Sequence, residues 1–326
     1  MAGWVRPRSR WIGPVIQQLE RWALEYGDIA AVGVEGWGSS GAGLAWFLRR
    51  RGYRVVEVNR PDRRLRYLRG KNDPIDAQAA ARAVLAGTAT AVPKTGEGTV
   101  EMIRQVNVAK DTAVKSRSQA MITLKTIIVN APTELREQLD PLGDRDLIDT
   151  CRRLTYASLT GPVDSARYTL RALAERFTDL DREIKLHERI LQTLTERAAP
   201  ALTSAFGIGA DSAAELLIVT GDNPDRIHSD AALAKLCGAC PIPASSGKTT
   251  RHRLNRGGHR QANAALHRIL TTRMRFHQPT MDYVTRRTAE GKTKREIMRC
   301  LKRLLARDIY QTLVAPHKTK EKQLAA

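Results

Sequence analysis

Two carboxylates three residues apart, Asp73 and Asp76, stand in the segment GKNDPIDA (residues 70–77) at the expected start of a helix. Residues i and i+3 are neighbours on a helix surface, roughly 5–6 Å apart at Cβ. Oxygen donors at that spacing can share a hard cation such as Mg²⁺. A third carboxylate, Glu35, closes an apolar run upstream. The segment also reads as a helix start, with Asp73 as N-cap, Pro74 as first helical residue and Asp76 favouring the positive end of the dipole. The two readings are compatible, because a capping carboxylate has a second oxygen to direct at a metal.

A second group lies far along the chain. Residues 241–260 read PIPASSGKTTRHRLNRGGHR, with Ser245, Ser246 and Gly247 in a turn beside Lys248, Arg251, Arg253, Arg256 and Arg260. A Ser-Ser-Gly turn is ordinarily structural. Surrounded by cations, a serine can instead attack a phosphodiester, because positive charge stabilises both the alkoxide and the pentacovalent transition state.

Composition says what these groups would act on. The chain has 326 residues, a formal charge of +20 and a pI near 10.3. Such an imbalance points to a polyanionic partner, with nucleic acid as the default and a membrane surface as the weaker alternative. Residues 49–71 hold ten Lys and Arg against two acids, next to the Asp73/Asp76 pair. That run, with Arg60, Arg63, Arg64 and Lys71 at its centre, reads either as a solvated face or as a phosphate-tracking surface. No apolar stretch approaches membrane-spanning length and no signal peptide is visible, so a cytoplasmic location is expected. Its four cysteines should then be reduced. The CxxC at Cys237 and Cys240 lacks a second pair at zinc-ribbon spacing and reads as small buried residues rather than a metal or redox site.

These residues need elements to position them. Residues 14–26 have helical periodicity. Residues 29–34 read as a buried strand, 36–43 as a glycine-rich turn that leaves Glu35 uncovered, 44–51 as a helix and 54–59 as a second strand. Strand, helix, strand is a βαβ unit with a parallel pair, and open α/β sheets place their sites at the carboxyl ends of such strands. Beyond a Thr/Gly/Pro-rich linker, two long amphipathic stretches, 99–130 and 163–197, point to a helical hairpin or coiled coil, paired within or between chains. Residues 202–216 resemble a helix-hairpin-helix. The backbone amides at Gly207 and Gly209 would meet phosphate without reading sequence, unless the glycines make only an ordinary turn. Residues 261–275 and a last basic segment are helical, and the tail is polar.

The order of these motifs resembles the insertion-sequence transposases of the IS110/IS116 group, over nearly the whole chain. The carriers are the strand ending in Glu35, the GKNDPIDA block, the FGIG hairpin and the SSGK turn with RGGHR after it. The resemblance implies a RuvC-like (RNase H-type) α/β domain with an Asp-Glu-Asp-Asp tetrad over residues 1–95. A helical, coiled-coil region (99–198), a mostly helical C-terminal transposase domain (199–315) and a basic disordered tail (316–326) would follow. By motif, Glu35, Asp73 and Asp76 are the second, third and fourth acids and bind Mg²⁺. Ser245 is the nucleophile, with Ser246 as second choice. Partners would be DNA (element ends and target), an element-encoded guide RNA and further copies of the chain, as dimer or tetramer. No aspartate precedes Asp28, so the first tetrad position has no counterpart. The chain reads as N-terminally shortened, without the first strands of its sheet. Three functions follow: a DNA transposase/recombinase that cuts and rejoins DNA through a serine, a catalytically inactive remnant that only binds DNA or RNA, or a Holliday-junction-type nuclease that uses carboxylates alone.

Overall fold

The computed structural model describes residues 12–35, 41–58, 72–247 and 252–316. Expectations for Arg60, Arg63, Arg64, Lys71, Lys248, Arg251, most of the glycine turn and the tail fall outside them. The chain divides into two compact units, residues 1–95 and 96–326.

The first unit carries α1 (Ile12–Leu24), β1 (Val32–Glu35), α2 (Ala42–Arg50), β2 (Val55–Val58) and α3 (Asp73–Leu85). β1 and β2 pair in parallel, with Glu35 opposite Val58, as a βαβ unit requires. Val34, Ala45, Leu48 and Val55 form the small core between α2 and the strands. α3 packs on β1, and Gly33 is the reason it fits. A methyl at Gly33 would lie 2.9 Å from Val84 Cγ2 and 3.0 Å from the Ala80 carbonyl oxygen, tighter than the packing tolerates. Beyond β2 the chain returns as an edge, where Glu57 N donates to Ala91 O at 2.8 Å.

The second unit is helical: α4 (Thr99–Val129), α5 (Thr133–Leu139), α6 (Asp144–Arg152), α7 (Pro162–Ala198), α8 (Pro200–Thr203), α9 (Ala210–Thr220), α10 (Asp230–Leu236), α11 (Arg260–Phe276), α12 (Gln278–Ala289) and α13 (Lys294–Leu313). The two long helices, α4 and α7, pair antiparallel within the chain. Lys110 is bridged to Glu188 at 3.6 Å and, closer, to Asp211, while Arg117 meets Asp181. At one end of the pair, Leu124, Ile128, Leu139, Leu147 and Leu170 form a core with α5 and α6. At the other, Ile103 and Leu191 join the larger core of α9, α10, α11 and α13, which includes Leu216, Leu233, Leu266 and Leu305. Deep in that interface Asn107 donates to Glu215 at 3.0 Å, and burial raises the Glu215 pKa.

The start of α4 is capped from far away in sequence. Gly98 has no side chain for the task, and Asp222 supplies it: Oδ1 accepts from Val100 N at 2.8 Å and Oδ2 from Gly98 N at 3.2 Å. Losing a cap of this kind costs about 0.5–2 kcal/mol. Asp222→Ala should therefore lower the stability of this unit by about 1–2 kcal/mol in a denaturant titration. An unchanged midpoint would show that water replaces the carboxylate without loss.

No helix among the described residues is long and apolar enough to cross a membrane.

Candidate active site

The acidic residues lie in the first unit. Glu35 ends β1, half-buried, at the carboxyl end of a parallel strand. The helix start differs from the sequence expectation by one residue. Asn72, not Asp73, is the N-cap of α3: its backbone is extended and its Oδ1 accepts from Ile75 N at 2.9 Å. Asp73 is the first helical residue, exposed, and Asp76 is half-buried one turn along. The shift has a physical basis. With Asn72 capping, Pro74 falls among the first residues of the helix, whose N–H groups have no intrahelical acceptor, so its missing N–H leaves nothing unpaired. Asp73 is thereby relieved of capping and keeps its place beside Asp76 on the helix surface.

All three acids offer hard oxygen donors, which suit Mg²⁺ better than a soft metal. Asp73 and Asp76 are held side by side by α3. Among the described residues, however, no group of three or more His, Cys, Asp or Glu side chains is gathered closely enough to hold a metal ion. The part of the acidic set that the fold assembles is the α3 pair, and Glu35 does not complete a three-ligand cage with it.

The serine lies in the second unit. β3 (Ile242–Pro243) and β4 (His252–Arg253) pair antiparallel, Ile242 opposite Arg253 and Pro243 opposite His252. Ser245, Ser246 and Gly247 follow β3 at the outer end of this ribbon, all exposed, with Gly247 at φ +54°. Arg253, Arg256 and Arg260 are exposed along the returning strand and at the first residue of α11. Arg299 from α13 donates to His252 O at 3.4 Å, which adds a fourth guanidinium to the ribbon.

What holds this exposed ribbon is its base. Gly238, in the left-handed region at φ +67°, lies directly against Gly258, so a methyl on Gly258 would overlap the backbone N and Cα of Gly238. Around that contact His259 N donates to Leu236 O at 2.6 Å, and Asn255 Nδ2 donates to Lys235 O at 3.3 Å and to Cys240 Sγ at 3.2 Å. Asn263 Nδ2 donates to Cys237 O at 2.8 Å. Lys302 on α13 donates to Asn263 Oδ1 at 2.7 Å, and burial lowers its pKa. The CGAC segment is therefore the socket and RGGHR the plug. Burial also pushes the Cys237 thiol up to about 12, far from a reactive thiolate. The sequence reading missed this socket. Its one visible signal was the paired glycines of RGGHR placed just after a basic ribbon.

Gly207, at φ +77°, and Gly209 lie between α8, a single turn of four residues, and α9. Gly209 is the N-cap of α9 and brings no side chain to the first turn, with open space where a Cβ would stand.

A mostly helical chain with a small parallel sheet, an acidic pair at the start of the helix that packs on it and a cationic serine ribbon has the parts of a DNA-processing enzyme. Comparison with family models makes this specific. Residues 14–131 match a DEDD transposase model of the IS110 type, and residues 199–285 match the model described as Transposase IS116/IS110/IS902 family. Together they cover more than half of the chain. No curated protein matches it. The chain belongs to the IS110 group of insertion-sequence transposases. It is a DNA transposase, with DNA as its partner, of a family that typically uses a divalent metal.

Proposed function

We propose that the chain cuts and rejoins DNA through a covalent serine–phosphate linkage at Ser245, assisted by Mg²⁺ held by the Asp73 and Asp76 pair. The observation that carries this reading is the ribbon itself: an exposed serine turn, edged by Arg253, Arg256, Arg260 and Arg299, on a base locked by the Gly238–Gly258 contact. Ser245 Oγ bonds to phosphorus and a sugar oxygen leaves. Rejoining is the reverse attack by a second sugar hydroxyl. The guanidiniums stabilise charge as it builds on the phosphoryl oxygens, and a rigid base keeps them from having to reorganise during the reaction. Mg²⁺, when bound, would neutralise phosphate charge, with Asp73 and Asp76 as its α3 ligands.

The remaining basic groups have a simpler task. Lys248 and Arg251 beside the serine, Arg60, Arg63, Arg64 and Lys71 ahead of α3, and the amides at Gly207 and Gly209 would hold nucleic-acid backbone, as a helix-hairpin-helix does. An element-encoded guide RNA and a homo-oligomer that holds two DNA partners complete the proposal.

The acidic half is tested by Asp76→Ala. Strand cleavage should fall and require roughly 10- to 100-fold more Mg²⁺ for half-maximal rate, since losing even a supporting group costs that much in metal affinity. A magnesium titration that superimposes on that of the unaltered chain would remove Asp76 from the site.

A further inference from the structure

The chain has four phenylalanines, and two of them stand in the open at one end of the second unit: Phe206 is 46 % exposed and Phe276 is 70 % exposed. Phe206 does not lie loosely on the surface. Its ring stacks on His277, with centroids 5.3 Å apart and planes 28° from parallel. The His277 ring is itself tied, Nδ1 to Thr280 Oγ1 at 2.9 Å. On the backbone side, Arg273 Nε donates to Phe206 O at 2.9 Å and fixes the turn to the last part of α11. Gly207 follows, packed 3.5 Å from the Ile269 carbonyl oxygen and from Arg273 Cγ at its absent Cβ position. An exposed aromatic ring is thus held in one orientation by a stacked partner and by a fixed backbone, with the Arg273 guanidinium beside it.

We infer that Phe206, backed by His277, is a stacking platform for an unpaired DNA base. Base–aromatic stacking needs a flat face, an orientation set in advance and cationic groups nearby for the adjoining phosphate, and it accepts any base because every base has a π-face. A protein partner that buried Phe206 through apolar contact would meet the Arg273 guanidinium and a chain of net charge +20, whereas a nucleic-acid strand meets complementary charge. Bases in an intact duplex are stacked on each other, so the platform distinguishes separated or frayed strands from closed duplex. Such strands arise at the ends of a cut site.

The test uses the full chain, a short oligothymidylate and a blunt duplex, with binding read by fluorescence anisotropy. A second probe carries 2-aminopurine, whose emission is quenched on stacking. Phe206→Leu keeps apolar bulk and removes the ring. It should weaken single-strand binding roughly 5- to 100-fold and abolish the quenching, while leaving duplex binding and the melting temperature unchanged. Phe206→Trp should retain both signals. The inference is overturned if Phe206→Leu binds the single strand as tightly as the unaltered chain. It is equally overturned if the variant loses duplex binding to the same degree, or if its defect appears only with RNA of the same sequence.

Discussion

Ser245→Ala is expected to abolish strand cleavage while DNA binding persists. The substitution removes one oxygen from an exposed turn that contributes nothing to either core of the second unit. Surface changes of this kind usually alter stability by less than about 0.5 kcal/mol, so the variant should fold normally. Binding rests on guanidiniums that stay in place. Catalysis then lacks its nucleophile, and among the described residues of the ribbon only Ser246 offers another hydroxyl. The loss should be at least about 10³-fold, as for removal of other catalytic nucleophiles. Ser246→Ala should be far milder. Gel assays of strand cleavage, read beside anisotropy for binding, separate the two functions. A nuclease working through carboxylates alone would be indifferent to Ser245, so full cleavage by Ser245→Ala would replace the serine mechanism with that one.

Gly258→Ala is expected to be the most damaging single-methyl addition in the second unit. The new methyl would overlap main-chain atoms of Gly238, which cannot rotate away as a side chain can. Relief requires the α10 end and the start of α11 to separate. That would break the His259 N to Leu236 O bond and the Asn263 link to Cys237 O. Overpacking a tight site costs about 1–3 kcal/mol and occasionally more. The upper part of that range is expected here, with cleavage lost in proportion as the ribbon loses its base. Gly238→Ala should also destabilise, for a second reason: its φ of +67° is a region that side chains rarely adopt, and its Cβ would sit 3.2 Å from Asn263 Nδ2. Gly143→Ala, at φ −66° with nothing within 4 Å of the new methyl, is the mild comparison, losing only the preference for Gly over Ala at the N-cap of α6. Thermal unfolding of the three variants checks the order. Equal melting temperatures would mean that the socket is not what fixes the ribbon.

The parts of the fold that were legible in the sequence are those with strong local signals. The parallel βαβ pair followed from two apolar runs flanking a helix-length segment, although β1 begins at Val32 rather than Ile29. The long helices α4 and α7 followed from sustained periodicity, and the structure pairs them within one chain. The start of α3 was placed one residue late, because Asp-Pro is as good a cap signal as Asn-Asp-Pro and only the backbone angles decide between them. Less legible was everything that depends on contacts distant in sequence. The cap on α4 comes from Asp222, more than a hundred residues away. The Gly238–Gly258 contact joins a segment read as small buried residues to the basic stretch after the serine turn, and neither signals the other. The Phe206–His277 stack joins a glycine turn to a helix junction. Residue types and spacing therefore pointed to the serine and the acidic pair, but the supports that fix the serine ribbon in space are tertiary.

The central claim is the covalent bond at Ser245, and it can be observed without inference from rates. The protein is incubated with DNA carrying an element end and Mg²⁺, quenched in denaturant, digested with protease and nuclease, and its peptides are weighed. A nucleotide phosphate is expected on the peptide that contains Ser245, absent in Ser245→Ala and located on Ser245 by fragmentation. Cleavage that proceeds with no protein–DNA adduct, or an adduct on a residue other than Ser245, would contradict it.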